Sequence, residues 1–485
     1  MRSNVFAAAA FFSLGLTVSS QAADVSEQGA KDLRGVLTQY LSRDLADSGF
    51  ITVKPSTNRY EVTYDLSKFF DKISSSNFSI AGLKPLTMFA APMDKGLWSI
   101  DGDNSLDISA HSKMGDAPAT DISYSLASLV YTGVFDPGIS YLRSLDVTAK
   151  DIKMSSKSAA QTVEATIAGM TSKLSTTDTG KPGKIDFLTS GTMPGFYEKI
   201  TAPTVLPVEV RADAIDFNAK ATNVPIRELR ELVRFVFEHV KAKTLSKSGG
   251  DKFKALIRDA LPLFGSLEET ASANNLSVVT DKGNFGLKKL DYSFHMNGVT
   301  KASSIGFGMK ADGFKLDAGM IPAGYEALVP DTTVIEVGIP DMNFAAAMDI
   351  LLEADFSKAE PLSKAQTDRI GDVVFPKGSV TVDFPKIAAT SGVYDFEVSG
   401  SVTGYPKQKD RYSLQASILA RDYDKTIEFV QNAAKTDAQL NQVSFVMMMA
   451  KGFAKVDADG RQRWDVSVAD DGTFTVNGQV IKAPK

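Results

Sequence analysis

Histidine is the side chain most often recruited for proton transfer and metal binding near neutral pH, and this chain has three: His111, His239 and His295. No two stand at the i, i+4 spacing that puts ligands on one helix face, and no H-E-x-x-H motif occurs. Phosphate-binding and acyl-transfer signatures are missing as well. There is no G-x-x-x-x-G-K-[ST] loop and no G-x-S-x-G elbow, and Gly306-Phe307-Gly308 lacks the third glycine of a dinucleotide fingerprint. Two acidic runs, Asp101-Gly102-Asp103-Asn104 and Asp457-Ala458-Asp459-Gly460, place carboxylates two residues apart as calcium loops do. Neither continues with the glycine and the closing acidic residue of an EF-hand, and Asp, Asn and Gly are also the residues of tight turns. No metal set and no cofactor are expected, and the reading is of a protein that is not an enzyme.

One apolar segment does suggest a function. Leu440–Phe453 gathers Val443, Phe445, Val446, Met447, Met448, Met449 and Phe453 into a helical stretch. Unbranched methionine adapts to varied apolar partners, so Phe445, Met447, Met448 and Met449 are candidate ligand-binding residues. A helix buried on most of its sides would carry the same residues.

The elements that must position such a surface read mostly as strands. Ile51–Lys54 and Arg59–Tyr64 flank a turn, and alternating segments follow at Leu287–Met296, Ser304–Lys310, Gly313–Asp317, Ser379–Phe384, Val393–Val402 and Arg411–Leu419. Alternation with one polar face predicts antiparallel sheet. Gly283-Asn284, Asn297-Gly298 and Asp312-Gly313 are the predicted turns. Helices are expected where apolar residues recur at i, i+3, i+4, first over Leu33 to Leu45, with Asp24 and Glu27 as a capping box. Strand-to-helix junctions recur at Tyr60–Ile73, Ile215–Leu229, Thr333–Met348 and Ser413–Ile427, with a degenerate fifth at Ile122–Leu142. The fold class expected is α+β: extended curved antiparallel sheets, built as meanders and covered by several amphipathic helices, from duplicated units.

Residues 1–22 read as a secretory signal peptide. Arg2 precedes an apolar run from Val5 to Val18, and Ser20-Gln21-Ala22 offers the small side chains of a cleavage site after Ala22. That run is too short to span a bilayer core of ~30 Å, so no permanent membrane anchor is expected in the mature chain, and periplasmic localisation is. With no cysteine, the chain has neither disulfides nor a lipid-anchoring site, and stability must come from burial of its 43% hydrophobic residues. A net charge of −5 with scattered basic residues gives no footprint for nucleic acid. Beyond the leader, two α+β domains are expected, 23–203 and 204–485, joined by a linker at Thr201–Pro207. Thr176–Lys184 and Lys243–Lys252 are expected to be loops.

From Gly452 to Gly478 the chain reads as a hairpin followed by a closing strand ending in Asn477-Gly478. This stretch resembles the C-terminal ending of YdgA-like bacterial envelope proteins. The strand–proline–helix junctions at Val224-Pro225 and Ile339-Pro340 are similar to units of AsmA-like envelope proteins. The resemblance implies curved antiparallel sheets with an apolar trough, an association with lipid or envelope homeostasis, and no catalytic residues. The expected function is therefore that of a soluble periplasmic protein holding lipid-like or other apolar ligands in a β-sheet groove. The alternative is a structural or interaction protein of the cell envelope, with a filled core and a protein partner bound at a sheet edge.

Overall fold

The computed structural model describes residues 25–483, apart from 39–40, 42, 74–76, 114–117, 140, 204, 240–241, 409–410 and 436. The predicted leader, its cleavage position and Asp24 lie outside the described residues. Strand exceeds helix by 52% to 23%, so the chain is mostly β, and α+β is too even a description of it. The chain divides into two compact units, Met1–Leu267 with Asp355–Pro361, and Glu268–Ala354 with Leu362–Lys485.

The first unit opens with α1 (Glu27–Thr38) and α2 (Arg43–Ala46). Ser26 caps α1, its Oγ accepting from Gly29 N at 3.1 Å. Ala30, Leu33 and Leu37 pack inward with Ile51, Tyr60 and Val62, which fixes this end of the core. Next come β1 (Ile51–Ser56), β2 (Arg59–Tyr64), α3 (Ser67–Ile73), β3 (Phe78–Ala81) and β4 (Leu86–Pro92). Six long strands follow: β5 (Trp98–Ser112), β6 (Thr120–Asp136), β7 (Tyr141–Ser158), β8 (Thr162–Asp178), β9 (Ile185–Ala202) and β10 (Val205–Val224). They pair in sequence order from β4 onward, while β3 shares the flank of β5 with β4. The predicted linker at Thr201–Pro207 is instead the turn of the β9–β10 hairpin, where Val205 pairs with Ala202. Two strands hydrogen-bonded along their lengths cannot be a domain boundary.

Asp101–Asn104 also departs from the turn reading, because it lies inside β5. Gly102 faces the Tyr131 ring, whose Oη lies 2.4 Å from where a Cβ would stand. Asn104 fills the break between β3 and β4: its Oδ1 accepts from Thr87 N at 2.8 Å and its Nδ2 donates to Thr87 O at 3.0 Å. The polar residues thus complete a sheet edge. The second acidic run does turn, with Gly460 N donating to Asp457 O and Gly460 at φ 83.

From β10 the chain enters α4 (Ile226–Glu238), α5 (Lys247–Ala260) and β11 (Ser266–Thr280), in which the unit boundary falls. Part of the loop predicted at Lys243–Lys252 is helical. Ser246 Oγ accepts from Gly249 N at 3.0 Å, and Gly250 is buried against Phe356. The small residues there serve close packing.

The second unit comprises β12 (Gly283–Asn297), β13 (Ser303–Leu316), β14 (Thr332–Met342), α6 (Phe344–Glu353), α7 (Lys364–Val374), β15 (Val380–Thr390), β16 (Asp395–Gly404) and β17 (Tyr412–Arg421). It closes with α8 (Tyr423–Ala433), α9 (Leu440–Phe453), β18 (Lys455–Val456), β19 (Gln462–Val468), β20 (Phe474–Val476) and β21 (Gln479–Lys482). Pairing runs antiparallel from β12 to β17, then to β19, β20 and β21. Asp312-Gly313 does not end a strand. Gly313, at φ 64, bends β13 locally while its N donates to Asp331 O at 2.7 Å.

All four main strand-to-helix junctions occur, at β2–α3, β10–α4, β14–α6 and β17–α8; the degenerate fifth is simply β6 turning into β7. Three of the four share a device. Asn223, Asp341 and Asp422 take φ of 52°, 59° and 52° just before the helix, a left-handed conformation that short Asx side chains tolerate. The two prolines do not mark equivalent positions, since Pro225 is the N-cap of α4 whereas Pro340 is still within β14. Each of these junctions feeds a helix pair, α4 with α5, α6 with α7 and α8 with α9. The helices therefore pack largely on each other and cover the sheets only locally.

Candidate functional site

The histidines have separate local roles. His111 Nδ1 lies 2.7 Å from the exposed Asp121 carboxylate. His239 ends α4, stacked on Phe235 with its Nδ1 2.8 Å from Phe235 O. His295 on β12 lies over Gly306, and Ser293 over Gly308, so those glycines make room for neighbouring side chains. Among the described residues no group of three or more His, Asp or Glu side chains is placed to hold a metal ion.

What the second unit does concentrate is apolar surface on one face of its sheet. The register runs Tyr292 to Met309, Ile335, Ile387, Val398, Ile418 and Trp464, each directly opposite the next on seven strands. Directly paired residues point to the same side, so this is a continuous apolar ladder. The opposite side carries charge pairs, including Lys289–Asp291 at 2.8 Å, Lys310–Asp312 at 2.8 Å and Lys386–Glu397 at 3.7 Å. The Lys310 ammonium holds the Asp312 carboxyl below its ordinary pKa. An antiparallel sheet with such division normally buries its apolar side. Here Tyr292, Phe307, Met309 and Ile387 remain 40%, 47%, 45% and 38% exposed. Tyr292 faces Met309, and Phe307 stands two residues along the same strand, so this is a contiguous patch rather than scattered exposure.

At the Trp464 end the face is covered. Ala420, Tyr423, Ile427 and Trp464 form a small core, with Met447 of α9 packed against it. The rest of α9 reverses the buried-helix expectation: only Ser444 is buried, while Phe445, Met448 and Met449 are 57%, 46% and 49% exposed. The structure thus separates the four candidate residues, with Met447 facing the core and Phe445, Met448 and Met449 facing out. Val233, Val236 and Phe237 of α4, in the first unit, are similarly exposed. The sheet ladder was not identifiable from single segments, because the signal lies in registers between strands.

The first unit has a similar apolar row, but it is covered, with Leu126, Ile152 and Ile167 buried in a core cluster. Leu106, Leu126, Ile152, Ile167, Phe196 and Ala212 pair in succession across β5 to β10. Nearby, Gly195, Phe196, Tyr197, Arg211, Ala212 and Asp213 line an open depression of about 630 Å³. Among the described residues no helix is long and apolar enough to cross a membrane. No family model, no curated protein and no solved structure matches this chain.

Proposed function

We propose that the protein is an exported, non-enzymatic periplasmic carrier that holds the apolar chains of lipid-like molecules against an open β-sheet face and so supports envelope homeostasis. The observation that carries this reading is the ladder from Tyr292 to Trp464, apolar on seven paired strands and exposed at Tyr292, Met309 and Ile387. Each methylene moved from water onto such a surface contributes up to about 0.8 kcal/mol, which a long acyl chain multiplies before ordering costs are subtracted. The leader at residues 1–22 and the resemblance to YdgA-like and AsmA-like envelope proteins support the same reading. Native mass spectrometry of protein purified without detergent tests it: bound lipid-sized masses are expected, and repeated ligand-free spectra count against it.

A second reading, an envelope interaction protein with a protein partner, draws on α9. Phe445, Met448 and Met449 stand outward on a helix fastened to the sheet, as anchor residues do at protein interfaces. Crosslinking in intact cells separates the two by whether lipid or protein is captured.

A further inference from the structure

The chain has 15 methionines and no cysteine, so thioethers are its only sulfur. Their settings differ. Met88 and Met342 are buried, and Met447 packs against the small core around Trp464. Met309, Met448 and Met449 lie open at 45%, 46% and 49% exposure, as do Met93 and Met154 of the first unit. What distinguishes the first three is where they stand. Met309 is in the apolar ladder, directly between Tyr292 and Ile335, and Met448 and Met449 are on the outward side of α9. Three consecutive methionines of α9 thus divide, one toward the core and two outward.

A thioether is apolar and polarisable, and its sulfur lone pair attacks an oxygen of a peroxide. The S–O bond forms as the O–O bond breaks, and sulfur is oxidised by two electrons as the peroxide is reduced. The departing hydroxide takes the proton of the transferred oxygen and leaves as water. Access decides which sulfurs react, and a thiol-dependent reductase reverses the product. That product is a polar sulfoxide, whose oxygen carries negative charge and accepts hydrogen bonds more strongly than sulfur, a weak acceptor. The fold already supplies a donor for one of them, since Gln431 Nε2 donates to Met448 Sδ at 3.4 Å. At Met309 the sulfoxide instead places a polar oxygen in the middle of an apolar row, where any apolar ligand must desolvate it.

We propose that Met309, Met448 and Met449 are sites of reversible oxidation by peroxides, and that the sulfoxide at Met309 switches off apolar capture on the ladder while the fold stays intact. The modification follows from access to the sulfurs; the switch rests on the carrier reading. Hydrogen peroxide treatment of the whole protein, followed over time by peptide mass spectrometry, circular dichroism and Nile red binding, tests the two parts separately. One added oxygen is expected at Met309, Met448 and Met449 before Met88, Met342 and Met447, with the circular dichroism unchanged. Nile red affinity is expected to fall about fivefold or more and to return after treatment with a thiol-dependent methionine sulfoxide reductase. Met309→Leu is expected to bind the dye and to keep it after peroxide. Oxidation of Met447 in step with Met448, or loss of the circular dichroism as the sulfoxides form, overturns the modification assignment. Undiminished dye binding by oxidised wild type, or an equal loss in Met309→Leu, overturns the switch alone. Failure of untreated wild type to bind Nile red overturns the carrier reading and the switch with it, and the peptide masses still decide the modification.

Discussion

The indole Nε1 of Trp464 donates to the carbonyl oxygen of Ala450 at 2.7 Å, tying β19 to the last turn of α9. That carbonyl is one of the helix-terminal acceptors left without an intrahelical partner. Asn477 satisfies another, its Nδ2 donating to Phe453 O at 2.6 Å, and Tyr423 Oη reaches Met447 O at 3.3 Å. The C-terminal hairpin therefore fastens α9 by its backbone. With the helix held this way, its methionines are free of packing duty on one side.

Stability and surface function at this corner should separate under mutation. Trp464 is 6% exposed, so Trp464→Ala is expected to cost about 3–5 kcal/mol in urea unfolding. Met449→Ser, on the outward side, is expected to change stability by less than about 0.5 kcal/mol. Equal losses would mean that α9 is packed on both sides.

Asn104 should behave as a structural residue, not as a calcium ligand. Asn104→Ala leaves Thr87 N without its side-chain acceptor and Thr87 O with only the longer bond from Tyr131 Oη at 3.4 Å, an expected loss of about 1–3 kcal/mol. Millimolar calcium should leave the wild-type melting temperature unchanged. A calcium-dependent rise would restore the metal-loop reading.

Alkaline pH should open the first unit. Burial pushes the Tyr131 and Tyr141 hydroxyls up to about 12, and Tyr64 is raised as well, by burial first and then by Tyr131. In the unfolded chain these groups ionise near 10. Above that pH the unfolded state binds fewer protons, so the stability they contribute is complete below about pH 10 and falls as pH rises through about 12. Near-ultraviolet titration should show these tyrosines ionising together with loss of structure. Reversible ionisation near 10 with the fold intact would contradict their burial.

The strands, the β1–β2 hairpin and four strand-to-helix junctions were legible because each is a local pattern. Asx residues in the left-handed conformation at three junctions explain why sequence spacing found the units although the intervals differ. Other features depend on distant partners. Asp101–Asn104 has the composition of a turn, and only Thr87 and Tyr131 reveal it as strand. Gly249 and Gly250 read as loop until Ser246 and Phe356 are placed beside them.

Charge placed on the open face of the second unit should abolish ligand capture without unfolding it. Met309 and Ile387 are 45% and 38% exposed, so the double variant Met309→Lys, Ile387→Lys is expected to keep its circular dichroism and lose binding of an apolar dye. Unaltered dye binding would place the bound surface elsewhere.

The most direct test puts a photocrosslinking amino acid in place of Met309, on the ladder, and separately in place of Lys310, on the charged side, in cells. The carrier account predicts lipid adducts at position 309 and none at 310. Protein adducts alone at 309, or identical products at both positions, would contradict it.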